Sequence, residues 1–200
     1  LNVSVLLHQY LSLLRTRVAK LGITTILMVI TPMSFAVSST PDFILTSKTL
    51  KAGERMPMAH VFDACGGDNI SPQLSWQGAP EGTESFALMV HDPDAPTGSG
   101  WWHWVMFNIP ADATELPEGA GDLKNGLIPE AIQVRNDYGA PGYGGACPPE
   151  GHGDHRYQFR LYALKVEQLP LDDTATPAMV GFNVNANALA VAELEVVYGR

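Results

Sequence analysis

Acidic side chains are absent from the first 36 residues, and cysteine is nearly absent from the whole chain, with only Cys65 and Cys147 among 200 residues. There is no CxxC pair, so the cysteines cannot build a structural zinc site, which needs about four ligands. Basic residues are also scarce, with 12 Lys and Arg against 21 Asp and Glu. No HExxH or G-x-S-x-G string occurs, which removes the zincin and serine-hydrolase signatures. Neither an internal repeat nor a low-complexity tract is present.

The N-terminus has the parts of an export signal. Arg15, Arg17 and Lys20 precede the apolar run Leu21 to Met33, and Ser34-Phe35-Ala36 offers small residues at the cleavage positions. The expectation is an N-terminal extension and secretory signal over residues 1–36, cleaved after Ala36, and a single domain over 37–200. A retained anchor over Val18 to Val37 is the competing reading, but Thr24, Thr25, Thr31, Pro32 and Ser34 dilute it. Residues 37–200 hold nine Lys and Arg against 21 Asp and Glu, a formal charge of −12. Such a field argues against nucleic acid and against an anionic membrane surface as partners. An anion site would have to be local, built from histidine and backbone groups.

From residue 43 the chain reads as short apolar runs between Gly, Pro, Asn and Asp clusters, the pattern of an all-β sandwich. Candidate strands are Phe43 to Leu50, Ser71 to Trp76, Ser85 to His91, His103 to Ile109, His155 to Leu164 and Ala190 to Tyr198. Period-2 alternation puts His155 and Tyr157 on one face with Phe159, Leu161 and Ala163, and lines His103 up with Val105, Phe107 and Ile109. The one expected helix is Thr176 to Leu189, with Thr176 as N-cap before Pro177. Asp94 to Trp101 and Gly139 to Gly153 are rich in Gly and Pro and must be loops.

Three strings carry possible chemistry. Asp92-Pro93-Asp94-Ala95-Pro96 presents two carboxylates on a chain stiffened by proline, although such a string alone also describes a turn. Trp101-Trp102-His103-Trp104 sets a histidine among large aromatics, a pattern shared by core histidines. In the run from Tyr143 to Tyr157, Gly144 and Gly145 permit close backbone approach to a ligand, Pro148-Pro149 forms a stiff wall, and His155 and Tyr157 project two donors. An aspartate beside a histidine would orient the imidazole and favour its charged form, making it a donor to a phosphate oxygen. Amides of Gly144 and Gly145 would add donors. In an oxidising compartment Cys65 and Cys147 would pair; two separate core thiols are the alternative.

Together DPDAP, the His preceding a strand that ends Asn-Ile-Pro, SPQLSW at 71–76, the run Asn136 to Gly145 and GDHRY at 153–157 resemble the phosphatidylethanolamine-binding protein (PEBP) family. The similarity is greatest to its bacterial Raf kinase inhibitor-like (YbhB/YbcL-type) branch, and it spans residues 43–200. The resemblance implies a mainly β fold, an antiparallel β-sandwich core with a few short peripheral helices. It also implies a small pocket for phosphate-like anions or phospholipid headgroups. Its lining would be Asp92, Asp94, His103, Pro149, His155 and Tyr157, with no metal, no cofactor and no catalysis. Two rival readings share these residues: a metal-dependent or phosphoester-directed hydrolase, and a protein-interaction factor whose pocket is vestigial.

Overall fold

The computed structural model describes residues 42–200, so the expected signal segment and its cleavage point lie outside the described residues. Eight strands are present among the described residues: β1 (Ile44–Thr46), β2 (Leu74–Gln77), β3 (Ser85–Asp92), β4 (Trp101–Pro110), β5 (Glu115–Leu116), β6 (Ile132–Gln133), β7 (His155–Leu164) and β8 (Ala188–Tyr198). They form a three-stranded sheet in the order β1-β2-β5 and a five-stranded sheet in the order β6-β4-β3-β7-β8. Every strand pairing is antiparallel. One α-helix, α1 (Pro177–Asn187), and three short 3-10 turns are the other elements among the described residues.

Alternation along the long strands divides the apolar residues between two clusters. Phe86, Leu88 and Val90 of β3, together with Phe159, Leu161 and Ala163 of β7, pack with Leu45, Leu74, Trp76 and Leu116 of the small sheet. Ala87 and Met89 of β3 and Val105 and Phe107 of β4 belong to a second cluster with Val180 and Val184 of α1. The large sheet therefore lies between the small sheet and the helix, and each of its faces carries a buried apolar cluster, as a layered domain requires.

Local chemistry explains where the elements depart from the expected bounds. The β1 strand stops at Thr46 because the Ser47 hydroxyl accepts from the amides of Thr49 and Leu50 (3.2 Å each) and turns the chain. The helix starts as expected, with Thr176 Oγ1 accepting from Met179 N and Pro177 in the first turn. Its asparagines are accommodated by donating back along the helix, Asn183 to Met179 O and Asn187 to Asn183 O, 2.9 Å each. Strand β8 then begins at Ala188 with no intervening residue. The two-residue strands β5 and β6 are too short to give a periodic signal and were not expected from the sequence.

The expected alternation in β4 is corrected. Val90 pairs with Trp104 and the next residue, His91, pairs with Trp102, so His103 is the extra residue of a β-bulge. Val105 and Phe107 face the helix, whereas the His103 ring stands 5.1 Å from that of Tyr157, which belongs to the inter-sheet cluster. The bulge thus aims His103 away from the stripe to which strict alternation assigns it. A second irregularity, with Asn108 at φ 57°, moves Ile109 onto the inter-sheet side.

The inter-sheet core sets the stability of this frame. Replacing fully buried Leu161 with alanine is expected to destabilise the protein by about 2–5 kcal/mol. Urea unfolding should show a lower midpoint at unchanged slope; an unchanged midpoint would remove Leu161 from the core.

Candidate functional site

The ends of β3, β4 and β7 converge on one cavity of about 270 Å³. Asp92, His103, Pro149, His155 and Tyr157 all line it, so five of the expected site residues meet in one place. Trp101, Tyr138 and the Ala95–Thr97 loop complete the wall with Cys147 and Pro148. A roomier cleft of about 980 Å³ lies elsewhere, between the 131–141 segment and the start of α1, but none of the buried unpartnered polar atoms belongs to its lining.

Asp92 is the fixed point of the cavity. It is 3% exposed. Its Oδ1 accepts from the amides of Asp94 (2.8 Å) and Ala95 (3.1 Å), closing the DPDAP turn on itself. Its Oδ2 accepts from His155 Nδ1 at 2.7 Å, which sets the orientation of that imidazole. The other nitrogen of His155, Nε2, lies 2.9 Å from His152 Nδ1, so the chain Asp92–His155–His152 runs from the buried floor to an exposed turn.

His103 is held differently. Its Nδ1 donates to the Gly144 carbonyl at 2.7 Å, and its Nε2 has no partner although it is buried. Burial lowers its pKa to about 4, against smaller opposing effects of the Gly144 carbonyl and the Asp92 charge. The ring is therefore neutral at pH 7, and the histidine that an aspartate orients is His155 instead. Tyr157 Oη and Trp101 Nε1 are likewise buried without partners. Burial also pushes the phenols of Tyr157 and Tyr138 well above their ordinary pKa, so both remain protonated.

Three expected site residues are placed outside this lining. Asp94 turns away to Arg156, its Oδ2 accepting from the backbone amide and from Nε (2.9 Å each) and its Oδ1 from a terminal guanidinium nitrogen (2.7 Å). Those bonds hold its pKa at about 2. The amide of Gly144 donates to His103 O and that of Gly145 to Asn69 Oδ1, both at 2.8 Å, so neither faces the cavity as a free donor. Their glycine identity has another cause. A Cβ on Gly144 would sit 2.4 Å from the Tyr138 ring, and one on Gly145 would sit 2.4 Å from His60 O and Phe62 N.

Tyr138, Trp101, Thr97 and His152 were not selected from the sequence. Tyr138 stacks on Phe62 with ring centroids 4.1 Å apart, meets His103 edge-on at 5.6 Å and donates to Gly145 O at 2.9 Å. The signal was its place in the Asn136 to Gly145 run, already part of the family pattern. Cys65 and Cys147 form a disulfide, which joins the Asp63–Cys65 turn to the Pro148-Pro149 wall. No helix among the described residues is long and apolar enough to cross a membrane, and among them no group of three or more His, Cys, Asp or Glu residues could hold a metal ion.

The sequence and the two-sheet fold are matched by known proteins. The family model "Phosphatidylethanolamine-binding protein" matches residues 46–199, and the chain belongs to that family. Among individual relatives it is 52% identical to YbcL of Escherichia coli over 159 residues, 78% of this chain and 87% of the relative. It is 47% identical to YbhB of the same organism over 156 residues, 77% of this chain and 98% of the relative. The crystal structure of E. coli YbcL superposes with a TM-score of 0.77, covering 79% of this chain and 98% of that one. A PEBP homologue from Chlamydia trachomatis, 32% identical, superposes at 0.69 over 81% of this chain and 99% of that one.

The buried neutral His103 makes stability depend on pH. Its folded pKa of about 4 lies below the ordinary 6.5, so between these values the unfolded chain binds the proton and the folded chain does not. Stability is then complete above about pH 6.5 and falls as pH drops toward 4, by about 3 kcal/mol in all. Urea unfolding across pH 4–7 should reveal this slope, and a His103→Gln variant should flatten it. A slope that survives the substitution would place the acid sensitivity elsewhere.

Proposed function

We propose that this chain is a non-catalytic binding protein whose cavity takes a phosphate-like anion or a phospholipid headgroup, and that it acts in an oxidising compartment outside the cytoplasm. The observation that carries this reading is the set of buried polar atoms without partners around one cavity: His103 Nε2, Tyr157 Oη and Trp101 Nε1. A buried polar group left unpaired destabilises a fold by about 1–3 kcal/mol. Three such groups on one small cavity are accounted for by a polar ligand that pairs them, and phosphate has the size and the acceptors for this.

The surroundings favour binding over turnover. An activated nucleophile would have to stand beside His155 or His103. Cys147 is committed to its disulfide, and the Thr97 hydroxyl donates to Gly100 O. Tyr157 is held in its protonated form by burial. The disulfide supports an exported location, since such bonds persist in oxidising compartments. The acidic composition argues against nucleic acid as a partner.

Tyr157→Phe tests the reading. The variant loses only the unpaired hydroxyl, so the unliganded protein should be as stable as the parent or more stable by about 1 kcal/mol, while phosphate affinity falls about tenfold. Thermal unfolding with and without inorganic phosphate measures both quantities. Equal protection of parent and variant by phosphate would count against the cavity as the binding site.

A further inference from the structure

The proton positions around this cavity restrict which anion it accepts, an inference that rests on the anion-pocket reading above. The Gly144 carbonyl can only accept, so the hydrogen between it and His103 belongs to Nδ1. In the neutral ring Nε2 is then a bare lone pair, buried and without a partner. Two further residues of the same cavity carry unpartnered polar atoms of opposite need: the Trp101 indole N–H, which can only donate, and the Tyr157 hydroxyl.

The neighbours of His103 do not supply the missing hydrogen. On β3, the Asp92 carboxylate is an acceptor, and His91 Nε2 bonds Ser99 O. On β7, His155 directs Nδ1 at Asp92 and Nε2 at His152. In the preceding loop, Tyr138 spends its hydroxyl on Gly145 O. A ligand must therefore bring a donor for His103 as well as acceptors for Tyr157 and Trp101.

We propose that the pocket selects phosphates that carry a free P–OH, namely hydrogen phosphate or a singly protonated phosphomonoester, and discriminates against sulfate and phosphodiesters. A P–OH donates to His103 Nε2 while the remaining oxygens accept from Tyr157 and Trp101. Sulfate and a diester present only oxygens to that lone pair, and they enter only when the ring takes up a proton. The preference thus separates two sources of the same chemistry: a free phosphate or monoester fits as it stands, and the diester of an intact phospholipid does not.

Isothermal titration of the protein with inorganic phosphate, sulfate and dimethyl phosphate at pH 7 tests the proposal. Phosphate should bind about 10- to 100-fold more tightly than the other two, the consequence of one buried acceptor left unpaired. Sulfate affinity should climb about tenfold per pH unit as the solution is acidified toward pH 5, while phosphate affinity stays comparatively level. In a His103→Gln variant, whose amide can turn a donor inward, the phosphate and sulfate affinities should converge; the parent's pH profile decides the matter if that variant does not fold.

Phosphoethanolamine at pH 6 and glycerophosphoethanolamine distinguish the sources, the monoester being expected to win. Tight glycerophosphoethanolamine binding beside weak dimethyl phosphate binding would overturn the proposal by assigning the donor to the ammonium group. Equal affinity for phosphate, sulfate and dimethyl phosphate at pH 7 would overturn it while leaving the pocket in place. Binding of none of them between pH 5 and 7 would overturn both the selectivity and the pocket reading.

Discussion

The bond between Asp92 and His155 is the constraint on which the site depends. Asp92 ends β3 and His155 begins β7, two strands that pair along most of their length. A carboxylate 3% exposed is tolerable only when its lone pairs are filled, and here two amides and an imidazole fill them. The same three bonds close the DPDAP turn and fix the imidazole ring. One buried acid therefore converts a strand pairing into a cavity with defined walls.

The bonds that shape this cavity use up much of its polar capacity. Asp94 is consumed by Arg156, the glycine amides by His103 and Asn69, and Tyr138 by Gly145. What remains is a short list of unpaired atoms, and the character of the site lies in that remainder. A preorganised pocket with few free groups recognises a ligand by the pattern of donors and acceptors it lacks. Charge plays a smaller part, because the histidine nearest the unpaired atoms is neutral.

Much of this was legible in the sequence because β7 alternates cleanly. The β7 stripe of His155, Tyr157, Phe159, Leu161 and Ala163 is a period-2 pattern, and it faces the core as that pattern requires. The motifs DPDAP and GDHRY are local strings, so they could be identified without knowing what they touch. His103 was a harder case. Its inward aim was read correctly, but from alternation with Val105, whereas a bulge supplies it, and nothing local in WWHW announces a bulge. Asp94 differs from Asp92 only in facing the other way, and that direction is decided by Arg156, 62 residues later. The glycines were legible as close approaches but not as approaches to a tyrosine ring.

The disulfide gives the site a particular place in the chain's topology. Joining positions 65 and 147, it makes a covalent lasso that contains β2 through β6, with Asp92, Trp101, His103 and Tyr138 inside the loop. Pro149, His155 and Tyr157 lie on the tail that follows the loop, and β7 carries that tail back onto β3. The cavity is thus the seam between the disulfide-closed loop and the segment that follows it. A molecule bridging His103 and Tyr157 would act as a rivet across that seam, tying the strength of tail docking to occupancy of the pocket.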